Sequence, residues 1–295
     1  MLCGSLVALV TPFSDGALDL AALRSLVEWQ IAQGSQGLVP CGTTGETPAL
    51  SEREWRLVAE TVIDQAAGRV PVIVGAGTNA TSTTIERTRI ARELGATAAM
   101  IVTPYYNRPQ QEGILRHVVA IADRVDLPLV LYNVPSRTGI NLMPDTVVRL
   151  LELAPIAAVK ESSGSLDQVS ELVLATEGRA AVLSGDDSLT LPVMSVGGTG
   201  VVSVLANIAP SATRALVDAA LIGDLARARR LHLQLFPLAR ALFLETNPVP
   251  VKTAAEFLGL CRSEVRLPLA PLSPTTRELL RQALASCAYT ASRLT

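Results

Sequence analysis

The chain has 295 residues, 49% of them hydrophobic, and a formal net charge of −2. That is long for one ordinary domain but suits an α/β barrel, which runs to roughly 200–250 residues as a single unit. No basic run follows a phosphate backbone and no apolar stretch nears the ~20 residues that span a bilayer, so neither nucleic acid nor membrane is expected as a partner. Cys3, Cys41, Cys261 and Cys287 are scattered, without Cys-x-x-Cys or a histidine at zinc spacing. They read as buried reduced thiols rather than disulfides or a metal site. The first apolar run is not preceded by a basic n-region, so no signal peptide is expected and the location reads as cytoplasmic.

Residues 6–10 form a first short apolar run, closed by Thr11-Pro12. Residues 18–33 carry a helical pattern, with Leu20, Leu23, Leu26, Val27 and Ile31 on one face. A second strand at 37–41 leads to Ser51-Glu52-Arg53-Glu54, the Ser-x-x-Glu form of a capping box, which opens a helix to 67. Strand three is 70–74, with a helix from after Asn79 to 94; strand four is 98–102, with a helix over 111–123. Strand five is 129–132, and Pro144, suited to a first helical turn, introduces 144–153. Strand six is 156–159, delivering Lys160 at its end, and 166–176 is its helix. Strands seven and eight are 180–183 and 200–204, with helices near 190–196 and 210–222. From Asp224 the pattern is helical to the end, broken at Asn247-Pro248 and over 267–274.

These strands are continuous apolar runs, the mark of parallel strands buried on both faces. Eight of them alternating with helices over about 220 residues predict an α/β fold, a closed (β/α)8 TIM barrel. The barrel would be the catalytic unit at 1–223, with a C-terminal helical appendix at 224–295. A doubly wound open sheet is the runner-up. Against it, no Gly-x-Gly-x-x-Gly follows the first strand, and Gly75-Ala76-Gly77 reads as a turn.

In such a barrel, chemistry gathers at the C-terminal ends of the strands. Lys160 stands out there: it is one of two lysines, with Lys252, among 25 basic residues. Arginine stays protonated, whereas a desolvated lysine can lose its proton and attack a carbonyl. The plainer reading of Lys160 is a salt bridge with Glu161. Strand two ends in Gly42-Thr43-Thr44-Gly45-Glu46, hydroxyls among glycines that suit a small oxygen-rich ligand or simply a tight turn. Strand four ends in Tyr105-Tyr106, read as packing or interface residues. Strand five ends in Tyr132, a candidate proton shuttle or a packing tyrosine, with Arg137 five residues on, a bidentate carboxylate holder or a solvated loop residue. Asp186-Asp187 could bind a metal, but Asp187 or Ser188 as a helix N-cap is the better reading. His117 and His232 fall on helical faces and read as structural. Together one amine, one phenol, two hydroxyls and a guanidinium suit carbon–carbon chemistry through a Schiff base. A 2-keto acid would condense with Lys160, which burial would favour in its neutral form.

The residues Gly37-Leu38-Val39-Pro40-Cys41-Gly42-Thr43-Thr44-Gly45-Glu46, Tyr132-Asn133-Val134-Pro135 and Val159-Lys160-Glu161 resemble the signature set of the dihydrodipicolinate synthase/N-acetylneuraminate lyase superfamily. The resemblance covers nearly the whole chain, including Thr103-Pro104-Tyr105-Tyr106-Asn107, Ser184-Gly185-Asp186-Asp187 and Asn247-Pro248-Val249-Pro250-Val251-Lys252. Thr43-Thr44 and Ser136-Arg137-Thr138-Gly139 look like the synthase branch. It implies a lyase of the class I aldolase type that condenses pyruvate with L-aspartate 4-semialdehyde in lysine biosynthesis through diaminopimelate. The same-fold alternative is a pyruvate-dependent lyase acting on another 2-keto acid, and a non-catalytic barrel is the third reading. By resemblance Lys160 forms the imine, and Tyr132 moves protons through Thr43 to Tyr106, which would reach a neighbouring subunit's site in a homodimer or homotetramer. Thr44 would bind the pyruvate carboxylate, Arg137 the semialdehyde's carboxylate, and Gly185 and Val202 would line the pyruvate pocket. No cofactor or catalytic metal is implied. Lysine-inhibited members carry histidines where Glu52 and Trp55 stand and a glutamate at Thr83, although Asn79 and Tyr105 fit their inhibitor pocket. Feedback inhibition by lysine is therefore expected to be weak or absent. Lys252 reads as structural.

Overall fold

The computed structural model describes residues 2–290; Met1 and the last five positions of the 224–295 region lie outside the described residues. Eight parallel strands form one sheet: β1 (Gly4–Ala8), β2 (Gly37–Val39), β3 (Ile73–Gly75), β4 (Ala98–Val102), β5 (Leu129–Asn133), β6 (Ile156–Glu161), β7 (Ala181–Ser184) and β8 (Gly200–Ser203). Neighbours run β2-β1-β8-β7-β6-β5-β4-β3. The two ends of that order meet: Leu38 and Val72 form a parallel bridge, and the Leu38 N–H donates to the Pro71 carbonyl at 2.9 Å. The sheet is thus a closed barrel, as predicted, and not an open doubly wound sheet.

Closure explains why the strands read as unbroken apolar runs. Side chains alternate across a strand, and here both faces are dry. Leu6, Val39, Ile73, Val130, Ala158 and Val202 fill the barrel interior. Their chain neighbours, among them Val7, Leu38, Val74, Leu131 and Val159, point outward beneath the helices. The helical ring comprises α1 (Leu20–Ala32), α2 (Glu52–Ala66), α3 (Thr81–Glu93), α4 (Gln111–Ala122), α5 (Pro144–Leu153), α6 (Leu166–Thr176), α7 (Thr190–Ser195) and α8 (Pro210–Leu221). Beyond it, α9 (Leu225–Ala241), α10 (Val249–Phe257) and α11 (Pro274–Ser286) share a second core with α8 through Leu216, Leu235, Leu238, Val251, Leu280 and Leu284. Among the described residues no helix is long and apolar enough to cross a membrane.

Several boundaries fall where the sequence places them, including β4, α5 and α6. The Ser51 side chain accepts from the Glu54 N–H and the Glu54 carboxylate accepts from the Ser51 N–H, closing the expected capping box. Two strands shift. The first ends at Ala8 because the Val10 N–H leaves the ladder for the Asn207 side-chain oxygen at 3.1 Å. The third starts at Ile73 rather than 70, since Pro71 has no N–H to give a ladder. Gly75 ends β3 for a reason of space: a Cβ there would lie 2.1 Å from the Cys41 carbonyl oxygen. Cys41 and Cys287 are buried free thiols, but Cys3 is exposed and Cys261 only partly buried, which corrects the expectation of four buried thiols.

His117 is structural, as expected. It sits on the buried face of α4, with Nδ1 2.9 Å from the Thr81 hydroxyl and, among the described residues, no hydrogen-bond partner at Nε2. Burial lowers its pKa from 6.5 to about 4. Between those values the unfolded chain binds a proton that the folded chain refuses, so stability falls as pH drops from 6.5 towards 4. The loss across that window is about 3 kcal/mol for this one group. Urea unfolding midpoints at stepped pH should show that slope in the wild type and a flatter one in His117→Gln. An unchanged slope in the variant would contradict the assignment.

Candidate active site

A cavity of about 210 Å³ opens at the C-terminal mouth of the barrel, lined by Thr43, Tyr105, Tyr132 and Arg137 among others. Tyr132 reaches it from the end of β5 and Thr43 from the loop after β2. Arg137 reaches it from the helical turn Pro135–Thr138, started by Pro135 and stopped by Gly139 in the left-handed region.

Lys160 lies directly across the Tyr132 ring. The two residues are paired in register between β5 and β6, both buried, and the ammonium stands 4.0 Å over the ring centroid. Among the described residues Lys160 makes no ion pair. Glu161, the neighbour in sequence, points to the opposite face of the strand, as side-chain alternation requires. Its carboxylate accepts from the Asn133 and Gln168 side chains and from the Ser163 N–H at 2.6 Å. The plainer reading of Lys160 as a partner of Glu161 is therefore corrected. Its charge is felt instead by Asp186, whose pKa burial raises while the Lys160 charge lowers it.

The loop after β2 is held under strain. Cys41 and Glu46 bracket it with φ of 57° and 54°, the left-handed region that costs a non-glycine residue of the order of 1 kcal/mol or more. What holds it comes from the C-terminal region. The Glu46 carboxylate, 1% exposed, accepts from Lys252 Nζ at 2.7 Å on α10 and from the Arg266 N–H at 3.0 Å. The Lys252 ammonium also stands 4.2 Å over the Phe13 ring. Burial lowers the Lys252 pKa, opposed by the charge of Glu46. Lys252 is structural, as expected. Within the loop, Thr44 is buried and its hydroxyl accepts from the Asn247 side-chain amide at 3.0 Å. The Asn247 carbonyl in turn accepts from Arg137 Nη2 at 3.4 Å.

The remaining candidates divide. Val202 faces the barrel interior on β8. The Gly185 N–H is committed to the Glu161 carbonyl at 2.8 Å, so only its carbonyl remains to face a ligand, and a Cβ there would lie 1.8 Å from Ser162 Oγ. Asp187 is not a helix cap, contrary to the sequence reading. Its buried carboxylate accepts from the Ser203 hydroxyl and from the Val204 and Leu205 N–H groups at 2.9 and 3.0 Å, tying down the loop after β8. Among the described residues no His, Cys, Asp and Glu group could hold a metal ion. Tyr106 is not brought to this chain's cavity: it is 90% exposed, with a left-handed φ of 69°. Asn247 is legible in the sequence only as a helix break, because one residue joining two distant loops, by its side chain to Thr44 and by its backbone carbonyl to Arg137, leaves no periodic trace.

The dihydrodipicolinate synthetase family matches residues 1–287. The chain belongs to that family. A relative from Thermomicrobium roseum, named 4-hydroxy-tetrahydrodipicolinate synthase, is 71% identical over 294 residues, covering 100% of this chain and 97% of that protein. The crystal structure of dihydrodipicolinate synthase from Aquifex aeolicus superposes with a TM-score of 0.96 at 44% identity, over 98% of this chain and 99% of that one. The chloride-inhibited dihydrodipicolinate synthase from Acinetobacter baumannii, crystallised with pyruvate, gives a TM-score of 0.96 at 45% identity over 98% and 100%. The family assignment thus spans barrel and helical region together.

Proposed function

We propose that the chain condenses pyruvate with L-aspartate 4-semialdehyde to 4-hydroxy-tetrahydrodipicolinate, the reaction its relatives are named for. The observation that carries this reading is Lys160, buried and, among the described residues, without an ion pair, against the ring of Tyr132, which itself lines the cavity. The Lys160 amine adds to the keto carbon of pyruvate and water leaves, giving an imine. Loss of a methyl proton then places an electron pair in an enamine, which bonds to the aldehyde carbon while the aldehyde oxygen takes up a proton. Tyr132, with Thr43 in the same cavity, supplies and removes protons. Thr44 holds the pyruvate carboxylate and Arg137 that of the semialdehyde, for which a guanidinium offers a bidentate fork. Gly185 and Val202 line the pyruvate pocket. The work is divided between a barrel at 1–223 and the helical region after it.

Exposed Tyr106 completes a neighbouring copy's proton relay in this reading, so the working form is a homodimer or homotetramer, located in the cytoplasm. The inhibitor positions expected for lysine are filled differently here. Trp55 is fully buried, donating its indole N–H to the Gly75 carbonyl at 2.9 Å, with the Arg87 guanidinium 5.3 Å over its ring. Glu52 accepts from Arg87 Nε at 3.0 Å and Nη2 at 2.6 Å. Steady-state assays are therefore expected to show no half-maximal inhibition at submillimolar lysine, and such inhibition would refute this reading of Glu52 and Trp55.

Turnover of pyruvate with aspartate semialdehyde, set beside sialic acid and other 2-keto acids, tests the activity itself. Preferred turnover of the semialdehyde pair is the expected result. Turnover of a different keto acid alone would replace this reading with the same-fold alternative.

A further inference from the structure

The anchors proposed for the two substrate carboxylates stand on different loops, after β2 and after β5, yet one residue from outside the barrel wall touches both. Asn247 lies between α9 and α10, 5% exposed. Its side-chain Nδ2 donates to Thr44 Oγ1 at 3.0 Å, and its backbone carbonyl, which any residue at this position would present, accepts from Arg137 Nη2 at 3.4 Å. A threonine hydroxyl has one proton and two lone pairs. Because Asn247 uses a lone pair, the Thr44 proton remains free to point at an acceptor. An anionic ligand needs that orientation, since a carboxylate accepts and cannot donate. On the other side, the bond to the Asn247 carbonyl uses one N–H of Arg137 and leaves four for a carboxylate.

We propose that Asn247 is a positioning residue for both substrates: it turns the Thr44 hydroxyl into a donor towards the keto acid and fixes the Arg137 fork for the second substrate. This rests on the synthase reading above. The helical region then does more than support the barrel, since it sets the hydrogen-bond polarity of the site. Substitution by aspartate sharpens the inference, because Asp is nearly isosteric with Asn but can only accept when ionised. In Asn247→Asp the carboxylate would accept a hydrogen bond from the Thr44 hydroxyl, turn the hydroxyl's lone pairs to the ligand, and add a negative charge beside an anion site.

The test is steady-state kinetics on Asn247→Ala and Asn247→Asp in the full chain, with the pyruvate concentration for half-maximal borohydride trapping on Lys160 as a second readout. In Asn247→Ala, KM for pyruvate is expected to rise roughly tenfold, as for one lost hydrogen bond to a charged ligand's anchor, with kcat changing less. In Asn247→Asp it should rise roughly tenfold further, and both readouts should move together. Thr44→Val combined with Asn247→Ala should be no worse than Thr44→Val alone. Thermal midpoints separate this from a structural role: Asn247→Asp weakening pyruvate binding without a matching loss of melting temperature supports the inference. Equal pyruvate KM in the two single variants, or additive effects of Asn247→Ala and Thr44→Val, would overturn it. A wild type that neither turns over the substrate pair nor traps pyruvate would instead overturn the synthase reading, and this inference with it.

Discussion

Lys160→Ala and Lys160→Arg are each expected to lose at least ~10³-fold in kcat/KM, about 4 kcal/mol of transition-state stabilisation. The arginine variant is the sharper of the two. It keeps a cation that can lie over the Tyr132 ring, so a residue needed only for charge or packing would tolerate it. A nucleophile would not, because guanidinium stays protonated and cannot form the imine. Retention of more than about a tenth of wild-type activity in Lys160→Arg would mean that the amine is not the reacting group. Tyr132→Phe should keep the fold and the buried ring while losing roughly 10²–10⁴-fold, the usual contribution of a positioned proton donor.

The second large effect is on stability. Lys252 and Glu46 are 0% and 1% exposed at the side chain, so removing either leaves a buried charge without its partner. Breaking such a pair from one side costs about 3–5 kcal/mol. In a chain of this size that is a fall in melting temperature of roughly 10 °C. Glu46→Gln and Lys252→Met should both show it in thermal unfolding, and the double variant should recover much of the loss, since no uncompensated charge remains. The single variants should also bind pyruvate less well, because Glu46 is the left-handed end of the loop that carries Thr43 and Thr44. A drop below about 3 °C in either single variant would contradict the view that this ion pair holds the loop.

The sequence reveals most where physics is periodic or local. Apolar runs separated by helical stretches were enough to predict the barrel, and the capping box at Ser51 and Glu54 marked α2 by its own four residues. Lys160 stands out because the chain otherwise uses arginine, and its position at a strand end puts it at the barrel mouth with Tyr132, its register partner in the structure. Long-range polar contacts left no such pattern. The bond from Lys252 to Glu46 crosses 206 positions and that from Asn247 to Thr44 crosses 203, so neither could be read from spacing. Asp187 differs from its expected cap role for the same reason: a carboxylate after a strand resembles a cap, and its actual partner loop lies 17 residues on. Tyr106, which the resemblance assigns to a neighbouring subunit's site, stands exposed on its own chain.

The central claim is that Lys160 forms an imine with pyruvate. The most direct measurement is borohydride reduction of the protein with pyruvate, followed by peptide mass spectrometry. The expected result is a reduced pyruvyl adduct on Lys160, absent without pyruvate and absent in Lys160→Arg. An unmodified Lys160, or an adduct found on Lys252 instead, would contradict it.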